Sequence, residues 1–136
     1  MLTTDLIIIG AGPGGYETAL LSARRGLSVA LIERGEVGGT CLNEGCIPTK
    51  ALCRTAAMVS DFAEAEAFGI KDVAFTLDFP AVMERKRAVV KQLRDGVESL
   101  ISNPNIHLLR GEARFVDALT VEAAGERVTA KDVIIA

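Results

Sequence analysis

The sequence predicts an α/β domain: a parallel sheet with flanking helices, followed by a small β-meander. Three observations carry this. A short continuous apolar run, Leu6 to Ile9, ends in a glycine pattern, G-x-G-x-x-G, at Gly10, Gly12 and Gly15. A helical stretch follows, and a second apolar run, Leu27 to Ile32, repeats the strand signal. Beyond residue 105 the pattern breaks into short apolar runs with turn residues between them.

The first run reads as a strand buried on both faces, because it is apolar throughout and does not alternate. In the helix after it, Ala19, Leu20 and Ala23 share one side, and Gly26 marks its end. Glu33 closes the second strand, 23 residues after Gly10. Residues 50–68 read as a helix stopped by Gly69, with Cys53 as a small core residue. Residues 79–101 read as a second, longer helix. There Phe79, Val82, Met83, Val90, Leu93, Val97 and Leu100 recur every three or four positions, and Glu84–Arg87 form the solvated face. Asn103, Pro104 and Asn105 stop it. The runs "IHLL", "ARFV", "LTVEA", "ERVTA" and "DVIIA" then read as strands, with a hairpin turn at Gly125 and His107 as a strand residue.

A chain of 136 residues fits one modest domain. Apolar residues make up 49%, enough for a core, and the net charge of −3 leaves no basic footprint for nucleic acid. No positive region precedes the apolar run at residues 6–12, so it does not read as a secretory signal. No segment reaches the ~18 apolar residues of a membrane span. The expectation is a cytoplasmic protein with neither nucleic-acid nor membrane partners. In a reducing compartment three cysteines do not make a disulfide scaffold, and a close pair is more often catalytic or metal-binding.

The glycine turn has the chemistry of a dinucleotide site. Gly10 permits a tight exit from the strand, Gly12 lets backbone approach a pyrophosphate, and Gly15 lets the helix pack closely on the sheet. Gly14 lies in the same turn and joins the candidate set. The following helix would offer free N–H groups and a positive dipole end to phosphates. Glu33 stands where a carboxylate accepts hydrogen bonds from a ribose, and it would repel a 2′-phosphate, which argues against NADP there. The motif alone does not choose between FAD and NAD.

The stretch "GGTCLNEGCIPTK", Gly38 to Lys50, holds Cys41 and Cys46. A zinc site, two inert buried cysteines and a redox pair are the three readings. In a regular helix, residues five apart rise ~7.5 Å and lie ~140° apart. That exceeds the ~7 Å Cα limit of a disulfide, so pairing needs a distorted backbone. Gly45 and Pro48 supply one, and a thiolate near a helix N-terminus is expected to have a lowered pKa. A flavin accepts electrons from thiolate chemistry and passes hydride to nicotinamide, so the cysteine pair tips the glycine-turn site toward FAD.

"GAGPGGYETA", "LIE" and above all "GGTCLNEGCIPTKAL" resemble the N-terminal region of the flavin-dependent pyridine nucleotide–disulfide oxidoreductases. The wording is most similar to the dihydrolipoamide dehydrogenase branch, with Thr49 in place of a serine, while Leu42 and Ile47 lean away from the glutathione and mercuric reductase wording. The resemblance implies a Rossmann-like FAD-binding domain, incomplete at its C-terminus. It casts Cys41 as the interchange thiol, Cys46 as the thiol against the flavin, and Lys50 as the cation beside the flavin ring. Glu33, Arg34, Gly38, Gly39 and Thr40 match the family's FAD-contacting segment, and Ala113 matches a backbone contact to FAD.

It further implies a longer protein, with 1–136 as the first segment and a second FAD segment, an NAD domain and a dimerisation domain beyond it. That protein would be a homodimer that oxidises dihydrolipoamide, carried on the lipoyl domain of a 2-oxoacid dehydrogenase or glycine cleavage complex, with NAD as acceptor. The piece alone is expected to be inactive. The rival readings are an NADPH-dependent glutathione- or mercuric-type reductase and a non-catalytic FAD-binding fragment.

Overall fold

The computed structural model describes residues 1–136. In chain order the elements are β1 (Leu2–Thr3), β2 (Leu6–Ile9), α1 (Pro13–Arg24), β3 (Val29–Glu33), α2 (Gly39–Asn43) and α3 (Cys46–Glu64). A 3-10 turn (Ala65–Phe68) precedes α4 (Phe79–Ile101). Five strands close the chain: β4 (Ile106–Arg110), β5 (Arg114–Asp117), β6 (Thr120–Ala123), β7 (Glu126–Thr129) and β8 (Asp132–Ile135).

Two four-stranded sheets result. One runs β4-β3-β2-β8 and is parallel throughout, with Leu6 opposite Val29 on one side and Asp132 on the other. The second runs β1-β7-β6-β5, an antiparallel meander to which β1 adds a short parallel edge.

The parallel sheet lies in the middle of the molecule, which explains its unbroken apolar strands. Leu6, Ile8, Val29 and Leu31 face one way, onto α1 and α4 through Ala19, Leu20, Ala23, Val90, Val97 and Ile101. Ile7, Ala30, Ile32 and Leu109 face the other way, onto the meander through Val121, Ala123, Val128 and Ala130. Alternate residues of one strand thus enter two cores. Ile7, Ile8 and Leu31 are fully enclosed, each worth roughly 1.5–3 kcal/mol of burial.

Most expected elements are present, with corrections. The second strand begins at Val29, because Ser28 is held by Asp5: its N–H and hydroxyl both donate to Asp5 Oδ2, at 3.0 and 2.8 Å. The helix expected over 50–68 begins at Cys46, becomes a 3-10 turn after Glu64 and stops at Gly69, whose φ of 80° suits a chain reversal. Cys53 is exposed on α3 and not in a core. The long helix has the expected bounds, with Asp78 as its cap accepting from the Ala81 N–H at 3.1 Å. Its buried stripe is narrower than the periodicity suggests: Val90 and Val97 are enclosed with Ile101, while Phe79, Leu93 and Leu100 face outward. Glu84 and Arg87 are solvated and paired, and His107 is a β4 residue opposite Ala30. Ala124 and Gly125, both at positive φ, make the hairpin between β6 and β7.

Asp5 ties three strand starts together, since its Oδ1 also accepts from Lys131 Nζ at 2.7 Å. The Lys131 ammonium first, and the two Ser28 hydrogen bonds next, hold the Asp5 carboxyl well below the usual carboxylate range. A depressed carboxyl contributes stability above its unfolded value, near pH 4, and loses it as the pH falls toward the folded value. Asp5→Asn is therefore expected to be less stable than wild type at pH 7. Urea midpoints measured from pH 7 to 3 should show the gap closing below about pH 4; a pH-independent gap would refute this account.

Candidate functional site

The site begins where β2 turns into α1. Gly10 has φ 101° and donates its N–H to the Ile32 carbonyl at 2.7 Å, fixing the end of β2 against β3. A Cβ on Gly15 would stand 1.8 Å from the Gly10 carbonyl oxygen, so the first turn of α1 rests directly on the strand exit. Gly12 is different. Its φ is −68°, and a Cβ there would meet nothing nearer than Gly39 Cα at 3.9 Å. The protein's own packing tolerates a side chain at Gly12, which lines the cleft described next. Gly12 is also the cap residue of α1, and no side chain satisfies the helix's first-turn N–H groups. A Cβ at Gly14 would meet open space.

A cleft of about 480 Å³ opens at the C-terminal ends of the parallel strands. It gathers seven residues singled out in the sequence: Gly10, Gly12, Glu33, Arg34, Gly39, Thr40 and Ala113. The sequence reading missed Ile9 and Ile32 at the strand ends, Gly111 and Glu112, and Ile135 and Ala136 of the last run. Gly111 carried a readable signal, a glycine directly after a strand. A Cβ there would lie 2.9 Å from the Ala124 nitrogen, and its N–H donates to the Glu33 carbonyl at 2.8 Å. Glu33 is aimed by the backbone, its Oε2 accepting from the Ala11 N–H and its Oε1 from the Gly35 N–H, both at 2.7 Å. Each oxygen keeps a lone pair for a further donor.

The cysteine segment is fastened to this turn. The Gly38 N–H donates to the Ala11 carbonyl at 2.8 Å, and a Cβ on Gly39 would lie 2.8 Å from Gly12 Cα. Cys41 is the third residue of α2 and Cys46 the first of α3. The break between them falls at Glu44 and Gly45 (φ −132° and −118°), where a Cβ on Gly45 would stand 3.1 Å from the Thr40 carbonyl oxygen. Pro48 does not make the break: it lies in the first turn of α3, where a missing N–H costs no helical hydrogen bond.

Cys41 and Cys46 are free thiols, near enough for Cys46 to act on Cys41; Cys41 is half-buried and Cys46 exposed. The neighbouring Cys46 thiol first, and burial second, push the Cys41 thiol up, while the Cys46 backbone N–H and the Lys50 ammonium pull it down. The lowering expected for a helix-start thiol is thus not met at Cys41, because the second thiol and burial outweigh it. Tyr16 is near enough to Cys41 to feel its charge; burial first, then Glu17 and Cys41, raise its phenol. Lys50 is one turn beyond Cys46 on α3 and lies outside the cleft lining, as do Cys41, Cys46, Gly14, Gly15 and Gly38.

A glycine-turn cleft at the ends of parallel strands, joined by one short helix to two neighbouring cysteines, defines a Rossmann-like unit of the dinucleotide-binding kind. The chain belongs to the pyridine nucleotide-disulphide oxidoreductase family, whose pattern matches residues 4–136. It is 46% identical over 136 residues to a dihydrolipoyl dehydrogenase of Thermus scotoductus, covering 100% of this chain and 29% of that protein. It is 43% identical over 135 residues to one of Chlamydia muridarum, covering 97% of this chain and 29% of that protein. A solved relative, the HOCl-induced flavoprotein disulfide reductase RclA of Escherichia coli in its Cu(II) complex, superposes with a TM-score of 0.79 at 30% identity. That match covers 100% of this chain and 29% of the other. The chain spans about 29% of the length of these relatives. FAD and NAD are the cofactors of the family. No helix is long and apolar enough to cross a membrane.

The Cys41 environment makes a direct prediction. In the reduced protein, the pH midpoint for alkylation of Cys41 should lie above that of an unperturbed thiol, near 8.5. Cys46→Ala should move it down and Lys50→Met up. Iodoacetamide labelling followed by mass spectrometry measures this, and a midpoint unmoved by Cys46→Ala would show that the thiols do not interact.

Proposed function

We propose that this chain is the N-terminal, FAD-holding and dithiol-bearing segment of a longer homodimeric enzyme. That enzyme oxidises dihydrolipoamide and reduces NAD. The observation that carries the reading is the single connection from the glycine-turn cleft, through Thr40, to the Cys41–Cys46 pair.

The residues present suit FAD. Gly12 lacks a Cβ that the protein would tolerate, and that absence clears the approach to the uncapped start of α1. There the N–H groups of Gly14 and Gly15 would meet a diphosphate, with Gly10 shaping the turn. Glu33, already aimed by two backbone N–H groups, would accept from ribose hydroxyls. Arg34, Gly38, Gly39, Thr40 and Ala113 complete the proposed cofactor set. Bound FAD supplies a two-electron acceptor next to the thiols and a hydride donor to NAD.

The chain's own part is thiol–disulfide exchange. One thiolate of dihydrolipoamide attacks Cys41 Sγ of the Cys41–Cys46 disulfide, forming a mixed disulfide and releasing the Cys46 thiolate. The second substrate thiolate then displaces Cys41, giving the cyclic disulfide lipoamide and the reduced pair. Cys41 is assigned to the substrate side by its order in the signature, and Lys50, whose charge reaches Cys41, would supply positive charge beside the flavin ring. The alternative direction, a disulfide reductase of the RclA kind, uses the same residues, and substrate assays on the whole enzyme separate the two.

Two measurements test the reading. Gly12→Ala should weaken FAD binding at least about tenfold while costing no more than about 1 kcal/mol of stability, whereas Gly15→Ala should cost on the order of 3 kcal/mol because its Cβ has no room. Equilibrium dialysis with FAD and urea unfolding read these out, and unchanged FAD affinity in Gly12→Ala would remove the cradle assignment. In the whole enzyme, Cys46→Ser should lower NAD-linked dihydrolipoamide oxidation by at least about 1000-fold, and residues 1–136 alone should show no such turnover. Intact turnover in either case would overturn the proposal.

A further inference from the structure

We infer that Asn43 and Arg94 form a clamp that sets the spacing of the two thiols; the inference rests on reading Cys41 and Cys46 as a redox pair. Asn43 is the last residue of α2, two beyond Cys41. Its Nδ2 donates to the Val37 and Gly39 carbonyls, both at 3.0 Å, with the Glu36 carbonyl at 3.5 Å. Three carbonyls around one amide nitrogen fix its orientation, so Oδ1 faces outward. There it accepts from Arg94 Nη1 at 3.3 Å, across 51 residues of sequence.

Arg94 differs from Arg87 and Lys91 on the same helix. Its side chain is 27% exposed and lies 3.6 Å from Glu36 Oε1, whereas Arg87 and Lys91 are 59% and 68% exposed and pair within their own helix. The helix that carries Arg94 is seated in the core by Val90, Val97 and Ile101. Arg94 therefore transmits a core-fixed position to the loop before α2 and to its last residue. A five-residue helix does not hold itself together in water, so its place depends on such outside bonds. Gly38 fastens its start to the glycine turn, and Asn43 with Arg94 fastens its end. Disulfide geometry allows only a narrow range of Cα and Cβ separations. Freeing the end of α2 lets the dithiol sample more positions than the disulfide, which its own bond restrains. The reduced state gains entropy, and the disulfide becomes easier to reduce.

The test is equilibration of the chain with glutathione: protein dithiol plus glutathione disulfide gives protein disulfide plus two glutathione thiols. The Cys41–Cys46 disulfide fraction is measured by alkylation and peptide mapping. Arg94→Met keeps the aliphatic stem and should lower the equilibrium constant about tenfold, a shift of about 30 mV toward easier reduction. Arg94→Lys keeps a charge and a donor and should stay within about threefold of wild type. Arg87→Met, two turns away on the same helix, should leave the constant unchanged, and circular dichroism confirms the fold of each variant. A wild-type chain that forms no Cys41–Cys46 disulfide overturns the redox-pair reading itself. A wild-type chain that forms it, with Arg94→Met within twofold of wild type or Arg94→Lys as impaired as Arg94→Met, overturns the clamp alone.

Discussion

The structure depends on a place where three backbones meet with no room for side chains. The exit of β2, the first turn of α1 and the first turn of α2 converge there. Gly15 lies against the Gly10 carbonyl, and Gly39 against Gly12 Cα. Helix starts carry free N–H groups and the positive end of a dipole, so packing them at one strand exit concentrates anion affinity there. The same contact decides where α2 begins, and hence where Cys41 stands. The proposed cofactor cradle and the start of the cysteine-bearing helix are thus placed by one set of close approaches.

The sheet supplies the rigidity this unit needs. Parallel strands covered on both faces have no solvated side, and their ends all point the same way. Here β2 and β3 end together, and the cleft opens just beyond them, between Ile9, Ile32 and the Gly111–Ala113 turn. The second core, between parallel sheet and meander, brings Ala113 to the rim. Val121 and Val128 packed with Ile7 and Ile32 support a turn that β4–β3 pairing and the Gly111 N–H bond to the Glu33 carbonyl hold in place.

Local signals in the sequence carried much of this. Apolar runs without alternation revealed strands covered on two sides, and apolar recurrence with the stop at Asn103 to Asn105 outlined α4. The glycine turn and Glu33 were readable because their spacing reflects one strand–turn–helix unit. What was not readable is set by tertiary contact. The exposure of Cys53, Phe79, Leu93 and Leu100 depends on which faces of α3 and α4 meet other elements, which periodicity does not encode. Glu112 enters the site only because β4 pairs with β3. The role of Asn43 needs Arg94, 51 residues away, and no local pattern joins them. Pro48 was misread because a proline looks like a helix breaker wherever it falls; at the first turn of a helix it is an ordinary beginner.

The break between α2 and α3 explains why so many contacts gather on a short segment. An unbroken helix from Gly39 to Glu64 would be more stable by itself, yet it would put Cys41 and Cys46 on different sides of one cylinder. Ending the helix at Asn43 and starting another at Cys46 folds a corner whose two arms each present a thiol to the other. The corner leaves α2 too short to persist alone, and the lost helical cooperativity must be replaced from outside. Gly38 on the Ala11 carbonyl and Asn43 on its carbonyls and Arg94 are those replacements. Proximity of the sulfurs and dependence on remote anchors are therefore one constraint seen from two sides. A chain that kept the cysteines but lost the anchors would retain the signature and lose the corner that brings the two thiols near each other.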